Sequence, residues 1–191
     1  MKKYIIISVM KYNNIMTNKY ELIFCETECL FRVKALKDFA NIHKGDIGGF
    51  VKSEKNLSQV DNCWIYDNAK VLGNAEICDN AIVCNNAIVY GNAKVCGKAI
   101  VCGNTEVYGN AEVCGNAEVY SNADYIVFKN WWSSGRYFTW TRSNNMWKVG
   151  CFYGTGEELI IKAYKDSEFS GKEYKRIVNY VNSILTDNAN D

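Results

Sequence analysis

A six-residue repeat between Trp64 and Asp124 constrains the fold more strongly than any other feature of the chain. Each unit has an aliphatic residue, a polar corner that is usually Gly-Asn or Asp-Asn, and a small residue four places after the aliphatic one. The aliphatic positions are Ile65, Val71, Ile77, Val83, Val89, Val95, Val101, Val107, Val113 and Val119. The small positions are Ala69, Ala75, Ala81, Ala87, Ala93, Ala99, Thr105, Ala111, Ala117 and Ala123. A fixed short period of this kind predicts a stacked β-solenoid.

Each unit can be written as Ala-x-Val-y followed by the corner. Side chains alternate between the two faces of a strand, so Ala and Val share one face and x and y share the other. Because Ala and Val are small and apolar, we expect them inside the solenoid and expect x and y outside. Gly, Asp and Asn tolerate the positive φ that a tight corner demands.

Outward residues that lie 18 apart in the chain are chemically alike, which indicates three hexads in each coil. The outward columns are Cys78, Cys96 and Cys114; Leu72, Tyr90 and Tyr108; and Tyr66, Cys84, Cys102 and Tyr120. At the x position, Glu76, Lys94 and Glu112 alternate in charge, which is a favourable cross-strand pairing. We therefore predict a triangular prism of about three to five coils over residues 47–124.

The hexads, written V-C-G-N-A-E with variants, resemble the hexapeptide-repeat family of left-handed parallel β-helices. The resemblance implies a mainly β fold and a left-handed coil, which is an exception to the right-handed crossover rule. A narrower resemblance covers residues 20–125 and rests on Y-E-L at 20–22, V-K-A-L-K-D-F at 33–39, K-G-D-I-G-G-F-V at 44–51 and C-W-I-Y-D-N-A at 63–69. Phage and prophage hexapeptide proteins carry similar segments, so this resemblance implies an accessory protein of phage or prophage origin.

The flanking segments divide the chain into three predicted parts. These are a β-rich N-terminal cap over residues 1–46, the β-helix over 47–124 and a C-terminal module over 125–191. In the cap, β-rich runs at 19–24 and 29–36 predict a hairpin, preceded by a lead-in strand within 1–16. Extending the hexad phase backward places Val51, Leu57 and Cys63 at the small inward position and Ile47 at the aliphatic one.

The C-terminal module is predicted to have ββαα order after a last strand at 125–128. Asn144 and Asn145 form a turn between β-rich runs at 136–143 and 146–153. Thr155 begins the first helix, which has acidic residues in its first turn. Ser170 is expected to cap the second helix. A solenoid needs covered ends, because an open coil exposes strand edges, and the flanking parts are the natural caps.

The charge balance argues against general nucleic-acid binding, because the chain has 22 Lys and Arg residues and 21 Asp and Glu residues. No run of 18 apolar residues is present, so no membrane association is expected, and we predict a cytoplasmic protein, in the host cytoplasm if phage-encoded. The nine cysteines are predicted to stay free. Stacked strands lie ~4.8 Å apart, whereas disulfides prefer Cβ atoms at ~3.5–4.5 Å.

Catalysis is not expected, because His43 is the single histidine and it lies outside the regular hexads. Acyltransferases of the hexapeptide family commonly use a histidine base, and its zinc carbonic anhydrases use three histidine ligands. We therefore predict no catalytic residue, cofactor or metal. An acyltransferase-like enzyme and a structural, polymer-forming component remain the alternatives to a binding protein.

An aromatic and basic cluster in the C-terminal module is the predicted partner-binding site. It consists of Trp131, Trp132, Arg136, Phe138, Trp140 and Arg142. Trp and Arg are enriched in binding hot spots, and both can stack on bases. The alternative is a packed hairpin core beneath two helices. The predicted function is that of a non-catalytic binding or inhibitory protein. The phage resemblance suggests counter-defence, with a host protein, such as a CRISPR component, or a nucleotide signal as the partner.

One side of the prism is apolar enough to predict self-association, with a dimer favoured. Its outward residues are Trp64, Tyr66, Ile82, Cys84, Ile100, Cys102 and Tyr120. Monomers rarely expose a contiguous apolar patch of more than a few hundred Å². We expect a second copy of the chain, the N-terminal strands or the C-terminal helices to cover this side.

Overall fold

The computed structural model describes residues 5–6, 18–132 and 135–187. A β-solenoid of about four turns forms its centre, with a hairpin at one end and a sheet with two helices at the other. In the described part of the chain, neither helix combines the length and the apolar character needed to cross a membrane.

The N-terminal strands extend one sheet of the solenoid. They are β1 Ile5–Ile6, β2 Tyr20–Cys25, β3 Leu30–Ala35 and β4 Ile47–Val51. The predicted hairpin is confirmed, since β2 and β3 pair antiparallel from Cys25 with Leu30 to Tyr20 with Ala35. β1 pairs with β2. The rest of the lead-in strand predicted within 1–16 lies outside the described residues.

The hexads form ten two-residue strands. These are β5 Trp64–Ile65, β6 Lys70–Val71, β7 Glu76–Ile77, β8 Ile82–Val83, β9 Ile88–Val89, β10 Lys94–Val95, β11 Ile100–Val101, β12 Glu106–Val107, β13 Glu112–Val113 and β14 Glu118–Val119. They pair in parallel in three stacks, β5-β8-β11-β14, β6-β9-β12 and β7-β10-β13. Partners lie 18 residues apart, as in the pairing of Lys94 with Glu112.

The predicted inward columns are confirmed as far as Val119, but Ala123 is exposed because a 3₁₀ turn at Asn122–Asp124 ends the repeat. The alanines and aliphatic residues of the repeat from Ile65 to Val119 are at most 1% exposed, and Thr105 is fully buried. The Thr105 hydroxyl donates a hydrogen bond of 2.8 Å to the Cys102 carbonyl, which satisfies the one polar side chain in the column. Burial of each valine contributes ~1.5–3 kcal/mol. The first corner residue has positive φ in every hexad from Asp67 to Gly115, for example 53° at Asp67 and 77° at Gly91.

The backward extension of the hexad phase is wrong at two columns. Val51 pairs with Val71, and Leu57 bridges Ile77, so both partners are 20 residues apart and occupy aliphatic columns. The two extra residues lie between Leu57 and Ile65, which are eight residues apart where Ile77 and Val83 are six apart. Ile47 is 53% exposed at the start of β4 and does not reach the interior.

The prediction of free cysteines is wrong for four of the nine. Cys84 is disulfide-bonded to Cys102, and Cys96 to Cys114. Their Cα atoms are 4.7 and 4.8 Å apart, which is the spacing of stacked strands and falls inside the 4.4–6.8 Å range of disulfides. The spacing between strands fixes the separation of the Cα atoms, but the side chains can lean toward each other. A strand spacing of this size therefore does not exclude a disulfide.

The C-terminal module contains a four-stranded antiparallel sheet rather than one hairpin. Its elements are β15 Tyr125–Lys129, β16 Tyr137–Thr141, β17 Met146–Val149, β18 Phe152–Gly154, α1 Gly156–Asp166 and α2 Glu168–Asp187. The ββαα prediction was wrong because Gly150, with φ of 55°, breaks the 146–153 run, and β15 pairs with β16. Thr155 caps α1 as predicted. Ser170 lies inside α2, and its backbone N–H donates to Ser167 Oγ.

Candidate functional site

The six residues of the predicted partner-binding cluster do not form one surface. Phe138 and Trp140 are 0% and 2% exposed, and they pack with Leu159, Tyr174 and Val178 beneath the helices. For these two residues the packed-core alternative holds, and they are not accessible to a partner. The sequence pattern did not distinguish a packed core from a binding site. On this strand face the charges lie only at the ends, at Arg136 and Arg142, and the aromatic residues Phe138 and Trp140 lie between them.

The remaining members of the cluster lie at opposite ends of β16. Arg136 and Arg142 are exposed on either side of the strand. Trp131 is 79% exposed, with its ring edge-to-face against Trp132 at 6.1 Å. Trp132 itself packs toward the helix core, 6.0 Å from Tyr174. A small ligand at the Arg136 end therefore does not reach Arg142.

Three side-chain oxygens cap the C-terminal end of the solenoid. In earlier coils, the backbone N–H at position x donates to the next coil, as Lys94 does to the Ala111 carbonyl at 2.8 Å. In the last coil, the matching N–H groups meet side chains. Glu106 donates to Asn122 Oδ1 at 2.8 Å, Glu112 to Thr139 Oγ1 at 2.9 Å and Glu118 to Ser143 Oγ at 2.7 Å. The backbone N–H donors at the end of the last coil are therefore satisfied at the positions where a further coil would otherwise pair.

Buried polar side chains close the N-terminal end. The Lys19 ammonium is 1% exposed and donates to the carbonyls of Val60, Asp61 and Cys63 at 3.0–3.3 Å. Burial lowers the pKa of Lys19. The Tyr20 hydroxyl donates to the Leu57 carbonyl at 2.5 Å, and burial raises its pKa. Sequence reasoning missed Lys19, because a lysine at the start of a β-rich run normally indicates an exposed position.

A groove of about 570 Å³ lies between the solenoid and the C-terminal module, and we call it the junction groove. Its solenoid wall contains Glu76, Lys94, Glu112 and the corner asparagines Asn74, Asn92 and Asn110. Its other wall contains Arg136, Tyr137 and Gly150. Lys148 lies 3.5 Å from Glu112, so that carboxylate is partly neutralised. Sequence reasoning had placed Arg136 in a binding site but had not brought it together with Glu76, Lys94 and Glu112.

A second cavity, of about 540 Å³, adjoins the junction groove and shares Asn110 and Tyr137 with it. We call it the ring cavity. Its lining residues are Tyr108, Gly109, Asn110, Asn122, Tyr125, Ile126, Val127 and Tyr137. The Tyr125 hydroxyl donates to the Glu106 carbonyl at 2.9 Å, and burial raises the pKa of Tyr125 to about 12.

A third cavity, of about 770 Å³, lies beside the N-terminal hairpin. Its charged groups already have protein partners. Arg32 donates to the carbonyls of Gly48 and Asp67, each at 2.6 Å, and lies over the Phe50 ring at 4.0 Å. Lys70 pairs with Glu28 at 2.7 Å. These interactions give the cavity a structural role in fixing the cap to the solenoid.

Among the described residues, those that cover the predicted self-association side do so only at its first coil. Trp64 is 2% exposed, with Phe39 packed edge-to-face at 5.4 Å. Ile82, Ile100 and Tyr66 are half-buried, and Tyr120 is 54% exposed. The Cys84–Cys102 disulfide lies in the same side. The residues that remain open are therefore those of the middle and last coils.

His43 is exposed in the N-terminal cap, and its backbone N–H donates to Asp46 Oδ2 at 2.7 Å. Its position is that of a surface loop residue. Within the described ranges, no three His, Cys, Asp or Glu side chains are grouped closely enough to hold a metal ion. No protein-family model matches the chain. A search of curated proteins returned no significant match.

Proposed function

We propose that this chain is a non-catalytic binding protein that holds its ligand or partner in the junction groove. One observation carries the proposal: the groove is lined on one wall by charged and amide side chains of the solenoid, among them Glu76, Lys94 and Glu112, and on the other by Arg136 of the C-terminal module. The short strands and stacked core make the solenoid wall rigid. A preformed, polar concave site of this kind favours binding with little ordering cost.

The test is a matched comparison of Arg136→Glu with Lys98→Glu. Both changes reverse one exposed charge, but Lys98 lies at a different corner of the prism, outside the groove. Tagged proteins are incubated with bacterial lysate, and bound proteins and small molecules are identified by mass spectrometry. A species retained by the parent and by Lys98→Glu but lost by Arg136→Glu supports the proposal. Equal retention by all three proteins would refute it.

The three capped N–H groups favour a binding protein over a polymer-forming component. End-to-end stacking needs free donors at the end of the last coil, and Asn122, Thr139 and Ser143 occupy three of them. We also propose that the coil is a left-handed triangular prism. The three parallel stacks and the 18-residue pairing support the triangular form, and the family resemblance supports the hand.

The biological setting is a further part of the proposal. The resemblance of residues 20–125 to phage and prophage proteins favours counter-defence against a host protein or a nucleotide signal, within the host cytoplasm. The two disulfides weigh against a reducing cytoplasm, because disulfides persist mainly in oxidising compartments. Thiol labelling of the protein in intact cells, before lysis, distinguishes the two compartments.

A further inference from the structure

The outward tyrosines of one prism side form a stacked column that ends at an open ring face. Tyr90 and Tyr108 have ring centroids 5.3 Å apart, with an angle of 15° between their planes. Tyr90 covers one face of Tyr108, which is still 52% exposed and lines the ring cavity. The column therefore continues into a space where the next coil would have placed another ring.

Of the last glycines in the three corner columns, Gly103, Gly109 and Gly115, the one beside Tyr108 is open. A Cβ built on Gly91 would lie 3.0 Å from the Gly109 backbone, whereas one built on Gly109 would meet no atom within 4 Å. At the other two corners, the Tyr120 carbonyl lies over Gly103 and the Tyr153 ring lies over Gly115. The C-terminal module therefore covers Gly115, the solenoid itself covers Gly103, and Gly109 is left accessible.

The same corner ends a ladder of asparagine amides. Asn74 donates from Nδ2 to Asn92 Oδ1 at 3.1 Å, and Asn92 donates to Asn110 Oδ1 at 3.3 Å. Asn110 Oδ1 thus accepts a hydrogen bond from the preceding coil. In the described part of the chain, the Nδ2 of Asn110 has no acceptor. If the repeat continued, the corner asparagine of a further coil would be that acceptor. An open aromatic face thus lies next to a free amide donor.

We propose that the ring cavity binds a nucleobase, with its plane stacked on Tyr108 and an acceptor on its edge bonded to Asn110. Stacking and an amide donor suit the flat faces and the ring-nitrogen and carbonyl acceptors of bases. Ile126 and Val127 supply apolar walls to the cavity. This inference rests on the proposed function, since the junction groove continues from the ring cavity and would take the sugar and phosphate beside Arg136.

The test uses nucleosides, which probe the ring cavity without the phosphate. Adenosine, guanosine, cytidine and uridine are titrated by calorimetry into the parent, Tyr108→Ala and Tyr120→Ala. Tyr120 is the matched control, because it is an exposed tyrosine at the equivalent position on another side of the last coil. We expect at least one nucleoside to bind the parent and Tyr120→Ala, and expect about tenfold or weaker affinity for Tyr108→Ala, as loss of one base stack predicts.

Asn110→Ala and Asn104→Ala form a second matched pair, because both asparagines end an amide ladder. Loss of affinity in Asn110→Ala alone supports the assignment. Equal melting temperatures of the variants exclude a folding defect, since Tyr108 and Asn110 lie at the surface. If no nucleoside binds the parent at millimolar concentration, or if all variants bind alike, the nucleobase site is refuted. The Arg136→Glu capture experiment then still decides the proposed function separately.

Discussion

The Thr139 hydroxyl accepts a hydrogen bond of 2.9 Å from the backbone N–H of Glu112, where a further coil would have placed a carbonyl. Thr139 is 2% exposed, so water cannot replace it easily. Replacing Thr139 with Val keeps the shape but leaves the N–H unsatisfied. We expect the unfolding free energy to fall by ~1–3 kcal/mol.

The conservative variant Thr139→Ser provides the control, because it keeps the acceptor and removes only a methyl group. Urea unfolding should rank the proteins as parent, Thr139→Ser and Thr139→Val in decreasing stability. If Thr139→Val were as stable as Thr139→Ser, the capping bond would be unimportant. An increase in apparent mass of Thr139→Val would in addition reveal that the cap prevents end-to-end association.

The repeat region was predictable because one local rule, applied ten times, agrees with the global fold. The inward position of Val89 or Ala93 follows from alternation, smallness and apolarity together. The first coil was not predictable at this level, since the segment between Leu57 and Ile65 contains two more residues than a hexad and changes the register. Nothing in the hexad pattern encodes such a change.

The candidate sites were less predictable, because they depend on contacts between modules. Phe138 and Thr139 are neighbours, yet one packs under the helices and the other caps the solenoid. Alternation assigns them to opposite faces of β16 but does not say that both faces are covered. The open corner at Gly109 also depends on where the module docks, which no local pattern specifies.

Asn56 should be the most sensitive polar residue at the N-terminal end. It is fully buried, and its Oδ1 accepts from the N–H groups of Lys52 and Ser53 at 3.0 and 2.8 Å. Its Nδ2 donates to the carbonyls of Gly73 and Ala75 at 3.1 and 2.8 Å. Asn56→Leu removes all four bonds, so we expect a loss of at least ~3 kcal/mol in urea unfolding.

Asn62→Leu is the control for this change, because Asn62 is an exposed corner asparagine bonded to Asn80 at 3.1 Å. Its loss should cost less than ~1 kcal/mol. Comparable losses in both variants would mean that Asn56 contributes through general packing and not through its backbone bonds.

The cysteine pairs give a direct chemical prediction. Unfolded, unreduced protein should expose five reactive thiols, those of Cys25, Cys29, Cys63, Cys78 and Cys151, and reduction should raise the number to nine. Closing a loop of 18 residues contributes ~3 kcal/mol, so reduction should lower the melting temperature. The double variant Cys84→Ala/Cys102→Ala should lose part of that sensitivity. Nine thiols without reductant would contradict the pairing.

The half-buried side chain of Tyr125 predicts a loss of stability at high pH. Burial raises its pKa in the folded protein to about 12, whereas an unfolded tyrosine titrates near about 10. The unfolded chain therefore loses the proton first. The contribution of Tyr125 is fully present below pH of about 10 and is lost as pH rises to about 12.

Tyr125→Phe removes this titration and serves as the comparison. Between about pH 9 and pH 11 the parent should lose more unfolding free energy than Tyr125→Phe, because the variant has no proton to release at this position. Tyr20, whose pKa is also raised, contributes equally to both proteins and cancels in the comparison. Identical pH profiles would show that Tyr125 is not buried as a neutral phenol.

Lysine substitutions on different sides of the prism can test whether the apolar side mediates self-association. Ile82 and Ile100 pair directly across β8 and β11, and both are half-buried within one chain. Stacked apolar columns offer a flat surface that a two-fold axis can pair with itself. We expect Ile82→Lys/Ile100→Lys to have a lower mass than the parent by light scattering. Ile88→Lys adds one lysine at the equivalent position of another side and should leave the parent's mass unchanged. A monomeric parent, or a loss of mass in Ile88→Lys alone, would exclude this side as the interface.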